Sequence, residues 1–297
     1  MKAYAHYPYF LTVCKCKSFS AAAEQLGMAQ SSISYQINRL EDLLETKLLV
    51  RTQGTKIQLT PNGQLLFNEL LKTDRLLQDV VSHISPKMGN KRITISAPVD
   101  IGTYLLAPLI NQMSNKIPTF ELTLDDASHD LYHENVDLAI RRRSEKRCAL
   151  EYLPLFSASN VLVTSRNFIQ KYGQPNSLRE LLTLPIIVRN AKSSQTWQYF
   201  LKDTACTFAQ FTNLQCVSNT IAIAHAISAG NGIGIIPSYL MKEHNFIPIE
   251  LNDAPTYAPV NYFDIVHVDT FLTRQWADQL KSTLYAAYHS DTNIDFI

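Results

Sequence analysis

Between positions 30 and 39 the sequence carries polar side chains whose chemistry matches the edges of DNA bases. Amides can form paired hydrogen bonds with adenine, a guanidinium can do so with guanine, and serine hydroxyls reach base edges or phosphates. The side chains of this set are Gln30, Ser31, Ser32, Ser34, Tyr35, Asn38 and Arg39. Because no acid interrupts the run, we favour a DNA-reading face over an ordinary solvated helix face.

A helix is needed to bring these groups onto one surface. Apolar side chains recur at helical spacing at Ile33, Ile37, Leu40 and Leu44. This spacing predicts a helix whose opposite face is buried. The preceding SFSAAAEQLGM predicts another helix, capped by Ser18 or Ser20 and ended by Gly27. Two helices joined by so short a turn indicate a helix-turn-helix.

The segment KLLVRTQGTKIQLTPNG follows, and its alternation of apolar and polar residues predicts a short hairpin. Leu48–Val50 and Ile57–Leu59 are its expected arms. Arg51 and Lys56 flank the turn, where we expect them to contact DNA phosphates without reading sequence.

Composition agrees with a globular protein and excludes a disordered or collagen-like chain. The 297 residues are 46% hydrophobic and 18% charged, with a net charge of +1. Up to Thr60, seven Lys or Arg against four acids give an excess of +3, which leaves −2 for the rest. With no secretory signal, no apolar run of membrane length and five cysteines without a C-x-x-C pair, we expect a cytoplasmic protein without a membrane partner.

The order SFSAAAEQL, AQSSISYQINRLEDLL and KLLVRTQGTKIQLTPNG resembles the winged helix-turn-helix of LysR-type transcriptional regulators. Two positions depart from the family pattern. Ala29 stands where a Ser or Thr usually caps the recognition helix, which weakens that cap by ~1 kcal/mol. Tyr35 replaces a common basic residue and can contact a thymine methyl group.

A long helix is expected after the hairpin, with Thr60 as its cap and Pro61 in its first turn. Its apolar seam comprises Leu66, Leu70, Leu77, Val80 and Ile84, with a polar break at Thr73. Such a seam is typical of a coiled coil. The resemblance implies that the partner is the same helix of a second subunit in a homodimer or homotetramer. Packing within one chain is the alternative.

Beyond Asn90, short apolar runs alternate with helical segments, which predicts parallel α/β sheets. ISAPVDIGTYLLAPL, ENVDLAIR and VSNTIAIAHAISAGNGIGIIPSYL resemble landmarks of the LysR-type effector-binding region, which is similar to type 2 periplasmic binding proteins. The resemblance implies a multidomain fold. Its expected parts are an all-α winged helix-turn-helix over residues 1–60, a linker helix and hinge over 61–90, and a two-lobed α/β effector domain over 91–297. Lobe I is expected at about 91–162 and 266–297, and lobe II at about 163–265.

The expected effector site lies in the cleft between the lobes, where helix starts favour an anion. A small carboxylate is one candidate ligand, and Arg141 could pair with it. Asp100 could either cap its own helix or contact the ligand. The expected effector residues are Pro98, Val99, Asp100, Thr103, Arg141, Ser218, Asn219 and Thr220. Arg142, Arg143 and Arg147 are expected at a solvated surface or a subunit contact.

We expect no enzyme, because no catalytic or nucleotide-binding motif is present, and we expect no cofactor or metal. The predicted function is sequence-specific binding of a double-stranded DNA operator under control of a small-molecule effector, with RNA polymerase as a candidate partner. Two alternatives stay open. One is a solute-binding protein of the type 2 periplasmic class, and the other is a redox-sensing regulator using Cys206 and Cys216.

Overall fold

In the computed structural model of the chain, the described residues are 3–50, 57–84, 92–114, 119–126, 131, 136–143, 150–189, 196–202, 204–254, 260–291 and 293–297, without the side chains of 82 and 83. They form two compact units. The N-terminal unit holds the described residues up to 84 together with Leu131 and Val136, and the C-terminal unit holds those from 92 to 126 and from 137 onward. No helix among these residues has the length and apolarity needed to cross a membrane.

Three helices open the N-terminal unit. They are α1 (Tyr7–Cys16), α2 (Phe19–Leu26) and α3 (Gln30–Leu44). The Ser18 hydroxyl caps α2 by accepting the Ala21 N–H at 3.3 Å. Gly27 ends α2 in the left-handed conformation, with φ of 62°, which glycine adopts without steric cost. The predicted cap and helix end are both confirmed.

A short wing and a long helix follow. Strand β1 (Leu49–Val50) pairs antiparallel with β2 (Gln58–Leu59), which confirms the predicted hairpin arms. Helix α4 (Pro61–Ile84) has 24 residues and is therefore ~36 Å long. The Thr60 hydroxyl accepts the Gly63 N–H at 3.0 Å, as expected of the cap.

The N-terminal core forms where α1, α2 and α3 meet the first half of α4. Phe10, Ile33 and Leu40 are fully buried, and α4 contributes Phe67 and Leu71. The buried face of α3 ends earlier than its spacing predicted, since Leu44 is 37% exposed. The reason is that α3 itself ends there, and Glu45 turns the chain away with φ of 50°.

The strands of the C-terminal unit, in chain order, are β3 (Ile93–Ala97), β4 (Phe120–Leu124), β5 (Leu138–Arg142), β6 (Glu151–Ala158), β7 (Asn160–Thr164), β8 (Ile186–Val188), β9 (Leu214–Cys216), β10 (Gly234–Pro237), β11 (Ile247–Pro248), β12 (Asn261–His267) and β13 (Asp295–Phe296). The order β13-β6-β12-β5-β3-β4 makes a six-stranded sheet. A second group contains β10-β7-β11 and the pair β8-β9, joined by a bridge between Ile186 and Ile233.

The predicted parallel pairing is correct for part of these sheets. Strand β3 runs parallel to β4 and β5, and β8 runs parallel to β9. In contrast, β12 runs antiparallel to β5 and β6, and β7 pairs antiparallel with β10 and β11. The cause is the chain path, because β6 leads out of the first sheet into β7 and β12 returns from the second group alongside it. The sheet changes therefore fall between residues 158 and 160 and between 248 and 261.

The helices of this unit are α5 (Val99–Ile101), α6 (Ile110–Ser114), α7 (Arg166–Tyr172), α8 (Leu178–Leu181), α9 (residues 196–200), α10 (Thr220–Ser228) and α11 (Phe271–Tyr288). A π-helical turn and a 3-10 turn connect α5 to α6, so residues 99–114 form one irregular helix. Pro98 stands directly before its first residue, Val99. At Gly102 a Cβ atom would lie 1.9 Å from the Leu124 side chain, so a larger residue there would require that side chain to move.

Two apolar clusters fill the C-terminal unit. The larger one joins the six-stranded sheet to α10 and α11 and includes Trp276. The second lies under β7 and β8 around Trp197, whose ring contacts Phe200 and Phe211 at centroid distances of 5.7 and 5.1 Å. Each cluster therefore contains one of the two tryptophans of the chain.

Candidate functional sites

The outer face of α3 presents the predicted DNA-reading groups to solvent. Gln30, Ser31 and Arg39 are exposed, and Tyr35 is 65% exposed. Ser32, Ser34 and Asn38 are partly buried on the same helix. The Ser20 hydroxyl, at the start of α2, donates to the Gln30 side-chain oxygen at 3.1 Å. Both helices thus contribute to one polar surface, which sequence reasoning assigned to α3 alone.

The N-terminus of α3 has no side-chain cap. Ala29 occupies the cap position, and its methyl side chain cannot accept a hydrogen bond, as its residue type implied. The backbone carbonyl of Ala29 still accepts the N–H groups of Ser32 and Ile33. The first turn therefore depends on its backbone hydrogen bonds and on packing of α3.

A buried carboxylate connects α3 to the wing. Glu41 is 5% exposed, and one of its oxygens accepts the N–H groups of Leu48 and Leu49 at 2.9 and 3.1 Å. Its other oxygen accepts the Lys47 ammonium at 2.7 Å. Burial by itself would raise the pKa of Glu41, but these hydrogen bonds outweigh it, and the pKa lies below its ordinary value. Glu41 thus positions the wing beside the reading helix, a role that no local sequence signal indicated.

Two of the lysines in the N-terminal unit form ion pairs with acidic side chains. Lys15 pairs with Asp74 at 2.8 Å, and Lys47 pairs with Glu41. Arg51 and Lys56 lie outside the described residues, so their phosphate contacts stay predictions.

The predicted seam of α4 has two different halves. Leu66 and Leu70 are partly buried and pack against the N-terminal core. Leu77, Val80 and Ile84 are 61%, 54% and 73% exposed. The expected polar position Thr73 is exposed as well.

In the C-terminal unit, Asp100 links the two groups of strands. It is 7% exposed, one of its oxygens accepts the Ile101 N–H at 2.9 Å, and the other accepts the Tyr239 hydroxyl at 2.9 Å. Burial raises the pKa of Asp100 against the effect of these hydrogen bonds. The carboxylate therefore bonds within its own helix start and also reaches the 3-10 turn after β10.

The negative charge at the start of the irregular helix over residues 99–114 comes from a side chain of the protein itself. Asp126, just beyond β4, accepts the Val99 N–H at 3.0 Å. Its second oxygen accepts Arg189, which directly follows β8, at 2.5 Å, and Arg189 also donates to the Ser218 carbonyl at 3.1 Å. Sequence reasoning missed both charged residues. Their position after strand ends is the signal that could have identified them, since the carboxyl ends of parallel strands line a cleft.

The remaining predicted effector residues lie around this bridge or beside it. Asn219 caps α10, where its side-chain oxygen accepts the N–H groups of Ile221 and Ala222 at 2.8 and 3.3 Å. Thr220 begins that helix and is partly buried, while Thr103 is exposed and Pro98 is partly buried.

Two arginines near the end of β5 have different surroundings. Arg141 donates to the Ser96 hydroxyl of β3 at 3.1 Å, and it is partly buried. Arg143 forms a paired contact with Asp264, which is 1% exposed, and stacks over Tyr262. Arg143 thus remains partly exposed, as expected, but its guanidinium is bound to a buried carboxylate on the neighbouring strand, which the sequence did not indicate. Arg142 is exposed, and Arg147 lies outside the described residues.

Cysteine and metal chemistry receive little support among the described residues. Cys206 is partly buried and Cys216 is exposed, and both are free thiols. Burial raises the pKa of Cys14 to about 12. No cluster of three or more potential metal ligands occurs in the part of the chain that the structure describes.

Family models match both parts of the chain. The model of bacterial regulatory helix-turn-helix proteins of the lysR family matches residues 5–64, and the LysR substrate binding domain matches residues 88–263. The HTH-type transcriptional regulator PtxR of Pseudomonas aeruginosa is 28% identical over 80% of this chain and 77% of its own length.

Solved structures share the fold over nearly the full length. ArgP of Mycobacterium tuberculosis has 18% identity and a TM-score of 0.74, covering 94% of this chain and 96% of its own. LysG of Corynebacterium glutamicum, solved with bound effector Arg, has 16% identity and a TM-score of 0.70, covering 96% and 99%. With a reading helix and wing in one unit and a two-sheet α/β fold in the other, this chain belongs to the LysR family of DNA-binding transcriptional regulators, which carry an effector-binding domain.

Proposed function

We propose that α3 reads an operator through its exposed face, with the wing contacting phosphates. The observation that carries this proposal is the set of exposed polar side chains on α3, namely Gln30, Tyr35 and Arg39, with Ser20 of α2 hydrogen-bonded to Gln30. Its groups include an amide and a guanidinium, which are suited to adenine and guanine. Arg51 and Lys56 are the proposed phosphate contacts of the wing.

A second copy of the chain covers the far half of α4. Leu77, Val80 and Ile84 are large apolar side chains exposed at coiled-coil spacing, which is costly for an isolated helix in water. Leu66 and Leu70 belong to the same stripe but pack mainly within their own unit. Paired reading helices then match two half-sites of a partly palindromic operator.

The effector binds between the two groups of strands in the C-terminal unit. Asp100, Arg141 and Asn219 lie near the carboxyl ends of the strands or at the start of α10, where small ligands bind in open α/β folds. The effector Arg in the LysG structure supports a small ligand with a carboxylate in this fold. Binding changes the geometry of this unit and thereby the spacing of the paired helices, and RNA polymerase is the proposed recipient of that change.

As a DNA-binding regulator the protein acts in the cytoplasm and catalyses no reaction. Its contribution to transcription is the occupancy of DNA, which the comparison with non-catalytic transcriptional regulators supports.

The test is a gel-shift titration of full-length protein on a duplex selected from a random library by that protein. Gln30→Ala and Arg39→Ala should each weaken specific binding by about 10-fold or more, because each removes a paired base contact. Gln174→Ala is the control, since Gln174 is an exposed glutamine of the C-terminal unit. Undiminished binding by both variants would refute the assignment of α3.

A further inference from the structure

An ion pair crosses from one group of strands to the other in the C-terminal unit. Asp126 follows β4 of the six-stranded sheet, and Arg189 follows β8 of the second group. Their charged atoms are 2.5 Å apart, and their side chains are 21% and 35% exposed. A molecule from solvent can therefore reach both charges.

Each member of the pair is oriented from its own side. The Val99 N–H donates to Asp126 at 3.0 Å, and the Nε of Arg189 donates to the Ser218 carbonyl at 3.1 Å. Both contacts involve backbone groups, so they hold the carboxylate and the guanidinium in place when the ion pair itself separates.

The neighbouring acid is already occupied. Both oxygens of Asp100 accept hydrogen bonds, one from the Tyr239 hydroxyl and one from the Ile101 N–H, and the side chain is 7% exposed. Asp126 is thus the more accessible of these two carboxylates for a ligand.

We propose that Asp126 and Arg189 form the polar end of the effector site and that the effector is an amino-acid-like zwitterion. Its ammonium group binds Asp126, and its carboxylate binds Arg189. This inference rests on the proposed function, in which the cleft is the effector site, and it names the ligand class.

The charge arrangement selects this class over simpler ligands. A ligand that enters here separates the ion pair, and a partly desolvated charge left without a partner is unfavourable. A plain carboxylate satisfies Arg189 but adds a second negative charge beside Asp126. A plain amine satisfies Asp126 but adds a second positive charge beside Arg189. A molecule that carries both charges replaces both halves of the pair.

The first experiment measures the Tm of the full-length protein with three pools of probes. They are the proteinogenic amino acids, the amines that lack their carboxylates, and the acids that lack their ammonium groups. The amino-acid pool should raise Tm by about 3 °C or more at concentrations far above Kd, and the other pools should not. An equal rise with the acids or the amines, or no rise with any pool, would overturn the inference.

The second experiment measures Kd of the responding amino acid by calorimetry. Asp126→Asn and Arg189→Gln should each weaken binding by about tenfold or more. Asn retains an acceptor for the Val99 N–H, so the first variant preserves the local backbone contact. Asp269→Asn is the matched control, because it removes another 2.5 Å arginine ion pair, with Arg274 at the start of α11.

Unchanged Kd in Asp126→Asn, or equal weakening in the control, would also overturn the inference. Operator binding by the same preparations separates this result from a failure of the proposed function. If operator binding is intact but the ligand class is wrong, the inference about the effector fails and the assignment as a regulator stands.

Discussion

Glu41 is the residue whose replacement tests most directly how the reading helix and the wing are held together. Its carboxylate accepts two buried backbone N–H groups and the Lys47 ammonium. Glu41→Ala leaves both N–H groups without this acceptor, and at ~1 to 3 kcal/mol each the loss is about 2 to 6 kcal/mol. Glu41→Gln keeps an acceptor oxygen but loses the charge, which costs about 1 to 2 kcal/mol.

The assay is hydrogen–deuterium exchange of the full-length protein, followed in peptides that cover the first wing strand. A loss of 2 kcal/mol in local stability accelerates exchange by about 30-fold when opening and closing are fast compared with the chemical exchange step. Lys47→Ala is the control and should change the exchange rate little, because the Lys47 side chain is 70% exposed. Unchanged exchange in Glu41→Ala, or an equal effect in Lys47→Ala, would refute the role of Glu41.

The same residue predicts a pH dependence with a definite sign. The pKa of Glu41 is lower in the folded state than in the unfolded chain. Its contribution is therefore complete above the unfolded value and is lost as the pH falls through the folded value. Glu41→Gln should lack this dependence, and an identical pH profile in both proteins would contradict it.

Three further predictions concern other parts of the molecule. Arg143→Ala leaves the buried Asp264 carboxylate without its arginine partner, so calorimetry should show that the free energy of unfolding of the C-terminal unit falls by about 3 kcal/mol; an unchanged Tm would contradict it. Leu77→Asp combined with Ile84→Asp should give monomers in sedimentation, whereas a dimer of normal mass would refute the seam. Gly63→Ala places a Cβ atom 2.0 Å from the backbone carbonyl oxygen of Leu48, directly before β1. Hydrogen exchange in β1 should then show that local stability falls by about 1 to 3 kcal/mol, and normal exchange would disprove the close approach.

The N-terminal unit was largely predictable because its signals are local. The cap at Ser18, the end at Gly27 and the buried spacing through Leu40 each depend on residues within a few positions. The stripe on α4 was also visible, but its spacing could not reveal that Leu70 packs within its own unit while Leu77 stays exposed.

Long-range contacts account for what the sequence did not indicate. Pro154 lies inside β6, although a proline normally disfavours a position inside a sheet. The structure accommodates this proline at a register shift, where Asp264 opposes Pro154 and Phe263 opposes Phe156. The bridge between Asp126 and Arg189 joins residues 63 positions apart, so no helical or strand period could connect them.

The positions of the tryptophans give the protein an intrinsic optical reporter. Trp197 lies in the cluster under β7 and β8, and Trp276 lies in the cluster on the six-stranded sheet. Neither lies in the N-terminal unit, so operator contact at α3 is silent in tryptophan fluorescence unless the C-terminal unit responds. A change in emission on adding operator DNA would therefore measure communication between the two units in the unlabelled protein.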